Sequence, residues 1–297
     1  GDSNFPKASG SGGSFGAASS GSSVYLACLD IRAELARRLG CEESELQLDS
    51  GQARGGSKSG SLTGLLAGEA IEAEGERSGR EVLAHLNHPN FGWGITVDEV
   101  AAMPLERFFE VYNGHSGVRN YGDAEHLSME DLWDSALVTR LEQNGLGLLY
   151  GVATDDSHDY YSWGPGRTNP GRGWIVVHAE SLDSDDIVRA LKAGDFYASS
   201  GVTLTGIKNT SSSMSVTIDA RKGAVYTTQF IGTLRGHGGD EIGVVLAETK
   251  SNPAAYAFTG EELYVRAQVV SSEDHPNPYA KGDKQTAWVQ PVLVSQD

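Results

Sequence analysis

Hydrophobic and polar positions along the chain fall into three regimes. In the first, Val24, Leu26, Ala27, Ile31, Leu35 and Leu39 form an apolar stripe with i, i+3, i+4 character, which predicts an amphipathic helix over about Ser22–Leu39. Arg37 and Arg38 in its last turn and Gly40 just after it are stop signals. A short helix over about Leu62–Ala67, capped by Ser61, and a strand over Ala70–Ala73 are expected next. In the second regime short apolar runs alternate with helical signals. Strands are predicted over Val82–Leu86, Phe108–Tyr112, Leu148–Ala153 and Trp174–His178. Thr96-Val97-Asp98-Glu99 is a capping box whose helix ends before Pro104. Ser128-Met129-Glu130-Asp131 caps a longer helix to about Gln143, with Gly145 behind it, and Asp186–Lys192 is a helix stopped by Gly194. Such alternation predicts a parallel α/β unit.

After Ser200 no helical period remains. Short β-rich runs are separated by turn residues: Val202–Ile207, Met214–Ile218, Val225–Phe230, Ile242–Leu246, Leu263–Val270 and Ala287–Val294. Tyr264, Arg266 and Gln268 alternate with Val265, Ala267 and Val269, as in a half-buried strand. This regime reads as a small antiparallel sandwich of about a hundred residues.

Candidate chemistry sits where the apolar runs of the second regime end. Thr154–Tyr160 reads TDDSHDY and places Asp156 and His158 two apart, where alternate residues of a strand share a face. HLNHPNF (His85–Phe91) and FFEVYNGH (Phe108–His115) also follow strand-like runs. Ligand sites of α/β folds lie beyond the carboxyl ends of strands, so the three ends are expected to form one metal-centred pocket. Just beyond, SWGPGRTNPGRGW (Ser162–Trp174) carries Arg167 and Arg172. They could hold a substrate phosphate or carboxylate, or they could pair with surface carboxylates of an ordinary loop. His126 and His178 have no motif around them and are expected to be structural, and His237 and His275 to be solvated loop residues.

From about Arg80 onward the chain resembles the polymerase-and-histidinol-phosphatase (PHP) superfamily of metal-dependent hydrolases. More narrowly, it resembles the stand-alone bacterial members described as CehA/McbA-like. The text that carries the resemblance is HLNHPNFGWGITVDEV, RFFEVYNGH, YGVATDDSHDYYSWGPGRTNPGRGWIVV and ALKAGDFYASSGV. It implies an α/β fold with a distorted β/α barrel and two or three zinc, manganese or iron ions. It implies metal ligation by His88, Asp156 and His158, with Glu110, His115 and His85 as further metal residues of the same region and Asn113 as a substrate-binding residue. It also implies hydrolysis of a small phosphorylated or ester substrate. Such proteins begin with an Asp-x-His-x-His strand, whereas this chain contains no His-x-His and its first histidine is His85. A partial barrel and an incomplete, weakly active site are therefore expected.

The first 40 residues are rich in Gly and Ser before the helical stripe. This is the composition of a flexible linker, and also that of a loop offering backbone and hydroxyl donors to an anion. GDSNFP, SGGSFGAASSGSSVYLAC and SLTGLLAGEAIEAEGE resemble part of the molybdopterin-binding large subunit of the xanthine dehydrogenase and aldehyde oxidase family. That resemblance implies cofactor contacts by Ser11, Gly12, Gly13, Ser14, Ala17, Ser19 and Ser20, while the segment that supplies that family's catalytic glutamate has no counterpart. The expected organisation is an α+β fragment over 1–78, the C-terminal half of a hydrolase over 79–200 and a β-sandwich over 201–297. The two resemblances meet at ERSGRE, as in a fused or misassembled gene. The functional alternatives are a molybdenum-hydroxylase fragment, of oxidoreductase class, and a non-catalytic binding module.

Bulk properties narrow the partners. The 297 residues carry 40 acidic against 23 basic side chains, a net charge of −17, which disfavours nucleic-acid binding through phosphates. No apolar run approaches the roughly 20 residues of a membrane helix. A soluble bacterial protein, cytoplasmic or periplasmic, is expected. Cys28 and Cys41 are too few for a disulfide framework; Cys28 is expected in the core beside the helix stripe.

Overall fold

The computed structural model describes residues 28–29, 31–49, 52–56, 58–61, 75–79, 81–103 and 106–295. The candidate cofactor loop Ser11–Ser20, the start of the first helix, the short helix over 62–67, the strand over 70–73 and the Pro104 breaker lie outside the described residues. The chain divides into two compact units, Gly1–Ala70 and Ile71–Asp297.

In the first unit helix α1 is described over 31–39. It buries Leu35 and Leu39 against Leu46 and Ala53. Gly40 ends it with a φ of 68°, and the Cys41 amide closes back on the Ala36 carbonyl at 3.0 Å. Arg37 and Arg38 turn back onto Glu34, and their hydrogen bonds lower its pKa to about 2. Ile31, expected on the buried stripe, and Cys28, expected in the core beside it, are exposed. The small core of this unit reaches only the Leu35–Leu39 turn, so the first turns have no apolar partner among the described residues. An antiparallel meander follows, β1 (Gln47–Asp49), β2 (Gln52–Gly55) and β3 (Lys58–Ser61). Its polar three- and four-residue strands carry no periodic signal.

The second unit opens with a single helical turn, α2 (75–78), and then alternates as expected. β4 (Ala84–Leu86), β5 (Glu106–Asn113) and β6 (Tyr150–Thr154) form a parallel sheet with β5 in the centre. Helix α3 (Val97–Ala102) carries the complete Thr96–Glu99 capping box, and α4 (Met129–Val138) is capped by Ser128. The last turn of the predicted long helix is a π-helix, Thr139–Gln143. There the buried Arg140 reaches the Met103 carbonyl at 2.6 Å, and Asn144 reaches the Ala101 carbonyl at 3.0 Å. These side chains satisfy carbonyls at the end of α3 that its own ladder leaves open.

The parallel sheet stops at three strands, and no closed barrel exists among the described residues. β7 (Trp174–Val177), expected to continue it, instead pairs antiparallel with β8 (Phe196–Ser199) after α5 (Ser184–Ala193). Gly194 ends α5 in the left-handed region at φ 77°. Both strands enter a six-stranded sheet of order β12-β11-β14-β15-β8-β7, built with β11 (Tyr226–Leu234), β12 (Val244–Thr249), β14 (Glu262–Asp274) and β15 (Lys284–Leu293). This sheet joins strands from both sides of position 200. A three-stranded sheet, β13-β10-β9, made of β9 (Leu204–Asn209), β10 (Ser213–Ile218) and β13 (Ala254–Ala257), packs on one face. The sandwich core there includes Met214, Val216, Phe230, Val265, Ala267 and Val269.

The other face of β14 is not solvated, as simple alternation suggested. Tyr264, together with Trp288 of β15, packs against α4 and β5. Arg266, 2% exposed, forks onto the equally buried Asp134 at 2.6 and 2.8 Å. Tyr264 donates to the same carboxylate at 2.7 Å, and the Arg266 guanidinium lies 4.9 Å over the Trp133 ring. Burial works against the Arg266 charge, but Asp134 more than offsets it, so the Arg266 pKa is raised. Gly243 approaches this pair so closely that a Cβ would stand 2.5 Å from Asp134 Oδ2, and its φ of 63° excludes most side chains anyway. β15 also holds the parallel sheet, since the Gln290 amide clips both backbone groups of Gly151 in β6 at 2.7 and 2.8 Å.

Removing one partner of this pair strands a buried charge, and Asp134→Ala is expected to cost about 3 to 5 kcal/mol in urea unfolding. The double change Asp134→Leu with Arg266→Met is expected to be less destabilising than Asp134→Ala. A cost below about 1 kcal/mol for the single change, in the range of exposed pairs, contradicts this account.

Candidate functional site

Because β4, β5 and β6 run parallel in adjacent positions, their carboxyl ends bring the three predicted motifs to one edge. Glu110 is the hub. It is 3% exposed; its Oε2 accepts from the His88 backbone amide at 2.6 Å and from Asn113 Nδ2 at 2.7 Å, and its Oε1 accepts from Thr154 Oγ1 at 2.8 Å. His85 Nε2 stands 3.9 Å from Glu110 Oε1, and burial lowers the His85 pKa against the opposing pull of the carboxylate. Asn113 Nδ2 lies 3.3 Å from Asp156 Oδ2, and Asp156 Oδ1 lies 3.1 Å from His158 Nε2.

The other histidines stand at the rim. His88 presents its backbone rather than its ring to Glu110, and its imidazole centroid is 5.5 Å from the Phe91 ring. His115 takes the Gly117 amide on Nδ1 at 2.9 Å and meets the His158 ring edge-on at 5.4 Å. His88 and Asp156 have positive φ values of 30° and 44°. Strained non-glycine backbone of this kind concentrates at functional sites.

As placed, these side chains are engaged with one another and with protein donors. The Glu110 oxygens are engaged by three donors, Asp156 and His158 face one another, and the His88 ring packs on Phe91. Among the described residues no group of three or more His, Cys, Asp or Glu side chains is placed to hold an ion. The geometry instead gives a carboxylate bound to one imidazole nitrogen, with His158 largely exposed. That contact fixes one ring nitrogen of His158.

Arg167 and Arg172 part company. Arg167 is exposed beside Asp159, at 3.4 Å. Arg172 is buried, and its guanidinium donates to the carbonyls of Gly114, Gly164, Arg167 and Asn277 and approaches the Asn169 and Asn277 side-chain oxygens. Five N–H groups meet carbonyl or amide oxygens, so no donor is left for a substrate anion. Its place is that of a staple for the 157–173 loop. Two residues that sequence reasoning missed do the same work. Asp155 accepts the amides of Gly171, Arg172 and Gly173 at 2.6 to 2.9 Å. Asn169 donates to the carbonyls of Asp159 and Ser162, both at 2.8 Å. The repeated Gly and Asn of this segment were the available signal, since closely turned backbone needs such acceptors and donors.

His275, expected in solvent, is 4% exposed. Its Nδ1 accepts the Asn277 amide at 3.0 Å, and its backbone amide bonds Asp283. Asn277 in turn supports the Arg172 loop, with its side-chain amide on the Pro170 carbonyl at 2.9 Å. His126 is a structural contact, as expected: its ring stacks on Trp93 at 4.0 Å.

No family model matches the chain. Two curated relatives are similar over 74 residues at 39% identity: the aldehyde oxidoreductase molybdenum-binding subunit PaoC of Escherichia coli strain K12 and that of Escherichia coli O157:H7. The match covers 25% of this chain and 10% of each relative, so the chain spans about a tenth of their length. No described helix is long and apolar enough to cross a membrane.

Two outcomes follow from the loop and its support. Arg172→Lys cannot reach the same carbonyls, and is expected to make the 157–173 loop markedly more sensitive to limited proteolysis; unchanged cleavage contradicts the staple role. Burial lowers the His275 pKa, so on acidification the unfolded chain takes up that proton first, near pH 6.5. The His275 contribution is complete above about 6.5 and is lost as pH falls towards its folded pKa. Stability is therefore expected to drop between pH 7.5 and 5.5, and His275→Gln to flatten that slope in denaturant titrations. An equal slope in both proteins contradicts it.

Proposed function

We propose that the chain carries a segment of the cofactor-binding surface of a molybdenum hydroxylase. The observation that supports this reading is the 39% identity over 74 residues to the PaoC subunit. In this reading Ser11, Gly12, Gly13, Ser14, Ala17, Ser19 and Ser20 offer backbone and hydroxyl donors to the anionic groups of molybdopterin. The residues concerned lie outside the described structure, and no catalytic step is derived from them. The full chain, purified from a host that makes molybdopterin, is expected to retain more oxidisable pterin, read by fluorescence, than a Gly13→Asp, Ser14→Ala variant. Equal pterin in parent and variant refutes the reading.

A second reading applies to the strand-end cluster, and the Glu110–Asn113–Asp156–His158 chain of contacts supports it. We infer that this cluster descends from a hydrolase of the PHP type and has lost the ligand set that such chemistry needs. The carboxylates are bound to protein donors, so phosphodiester turnover is expected to be negligible. The check is release of nitrophenol from a chromogenic phosphodiester with added manganese or zinc, comparing the parent with Asp156→Ala and His158→Ala. Brisk turnover by the parent, lost in both variants, overturns the loss of function.

A further inference from the structure

A cavity of about 140 Å³ lies between the end of β5, the start of α4 and the β14–β15 face. On a comparable measure a single water needs about 10 to 15 Å³. It shares no residue with the strand-end cluster. Three aromatic residues, Tyr112, Tyr121 and Trp288, line it together with the carboxylates of Glu130 and Asp283. Tyr112 and Trp288 stack at 5.5 Å with a 27° angle between their planes.

Tyr112 is 5% exposed, yet its hydroxyl has no hydrogen-bond partner among the described residues. The hydroxyl is not among the fully shielded unpaired atoms, so it borders accessible space, and in the wall of this cavity it is open to a ligand atom. The carboxylates also keep spare capacity. Asp283 accepts Tyr121 on Oδ1 at 2.8 Å and the Ala280 amide on Oδ2 at 2.7 Å. Glu130 accepts Gln268 and Trp288 on Oε1 and Arg266 on Oε2. A carboxylate offers about four acceptor positions, so both have room for another donor. The cation on the cavity wall, Lys284, is already held by Asp274 and the Ser272 carbonyl. Burial disfavours a charge on His275, the other basic group there.

We propose that this cavity is a binding site for a small primary ammonium group, held by Glu130, Asp283 and the Tyr112 hydroxyl between aromatic walls. An ammonium brings three donors and no acceptor, which matches the open acceptors. The ring faces of tyrosine and tryptophan attract such a cation, and the net charge of −17 favours its approach.

Trp288 supplies the reporter, because its indole N–H donates to Glu130 at 2.9 Å. Methylammonium chloride is titrated into the full chain, followed by the Trp288 indole proton–nitrogen resonance, which is assigned by Trp288→Phe. Sodium chloride at matched ionic strength is the control. The expected result is a saturable shift with methylammonium and none with sodium, and a midpoint raised about tenfold in Tyr112→Phe and in Asp283→Asn. Tyr112→Phe keeps the ring stack, so it tests the hydroxyl alone; if either variant fails to fold, the other decides. No shift, the same shift with sodium, or midpoints unchanged in the folded variants overturns the proposal.

Discussion

One buried ion pair holds the second unit together. Asp134 comes from α4 and Arg266 from β14, 132 residues away, and both are almost wholly shielded from water. Two charges in such a place are tolerable when each is neutralised and its remaining hydrogen-bonding capacity is met. Here Tyr264 and the fork of Arg266 fill the Asp134 carboxylate, while Glu130 and the Trp133 ring attend the guanidinium. The pair ties the helix that packs on the parallel sheet to the centre of the six-stranded sheet. β14 can therefore bury both faces, one apolar against the sandwich and one polar against α4. Gln290 extends the same tie to β6, which carries the TDDSHDY segment at its end.

The strand-end cluster is subject to a similar rule. Polar groups at the carboxyl ends of buried strands need partners, and Glu110 meets that need by gathering a backbone amide, an amide side chain and a hydroxyl from three segments. The groups that accept these hydrogen bonds are those a metal or substrate would otherwise engage. Exposed chemistry is left to the Asp156–His158 pair and to His115 beside it. The loop that follows is set by Asp155, Asn169 and Arg172, whose polar atoms face backbone and not a ligand.

Local signals in the sequence were enough to locate most elements of the second unit. The Thr96 and Ser128 caps, the Gly194 stop and the apolar runs of β5 and β6 act within a few residues, so their meaning does not depend on the rest of the chain. The meeting of the three motifs was also legible, because parallel neighbours place their carboxyl ends side by side. What covers each surface was not. Alternation in β14 correctly separated Arg266 from Val265 but could not reveal that Asp134 awaited the arginine. The same limit explains Arg172 and His275, polar residues in glycine-rich loops that read as solvated until Gly114, Asn277 and Asp283 close over them. Ile31 on the helical stripe and Cys28 beside it show the converse, apolar positions for which the described structure supplies no partner. Periodicity records which side of an element avoids water. Whether a polar side chain is satisfied by solvent, by a ligand or by a distant residue depends on contacts between segments far apart in the chain, and those exist only in the folded structure.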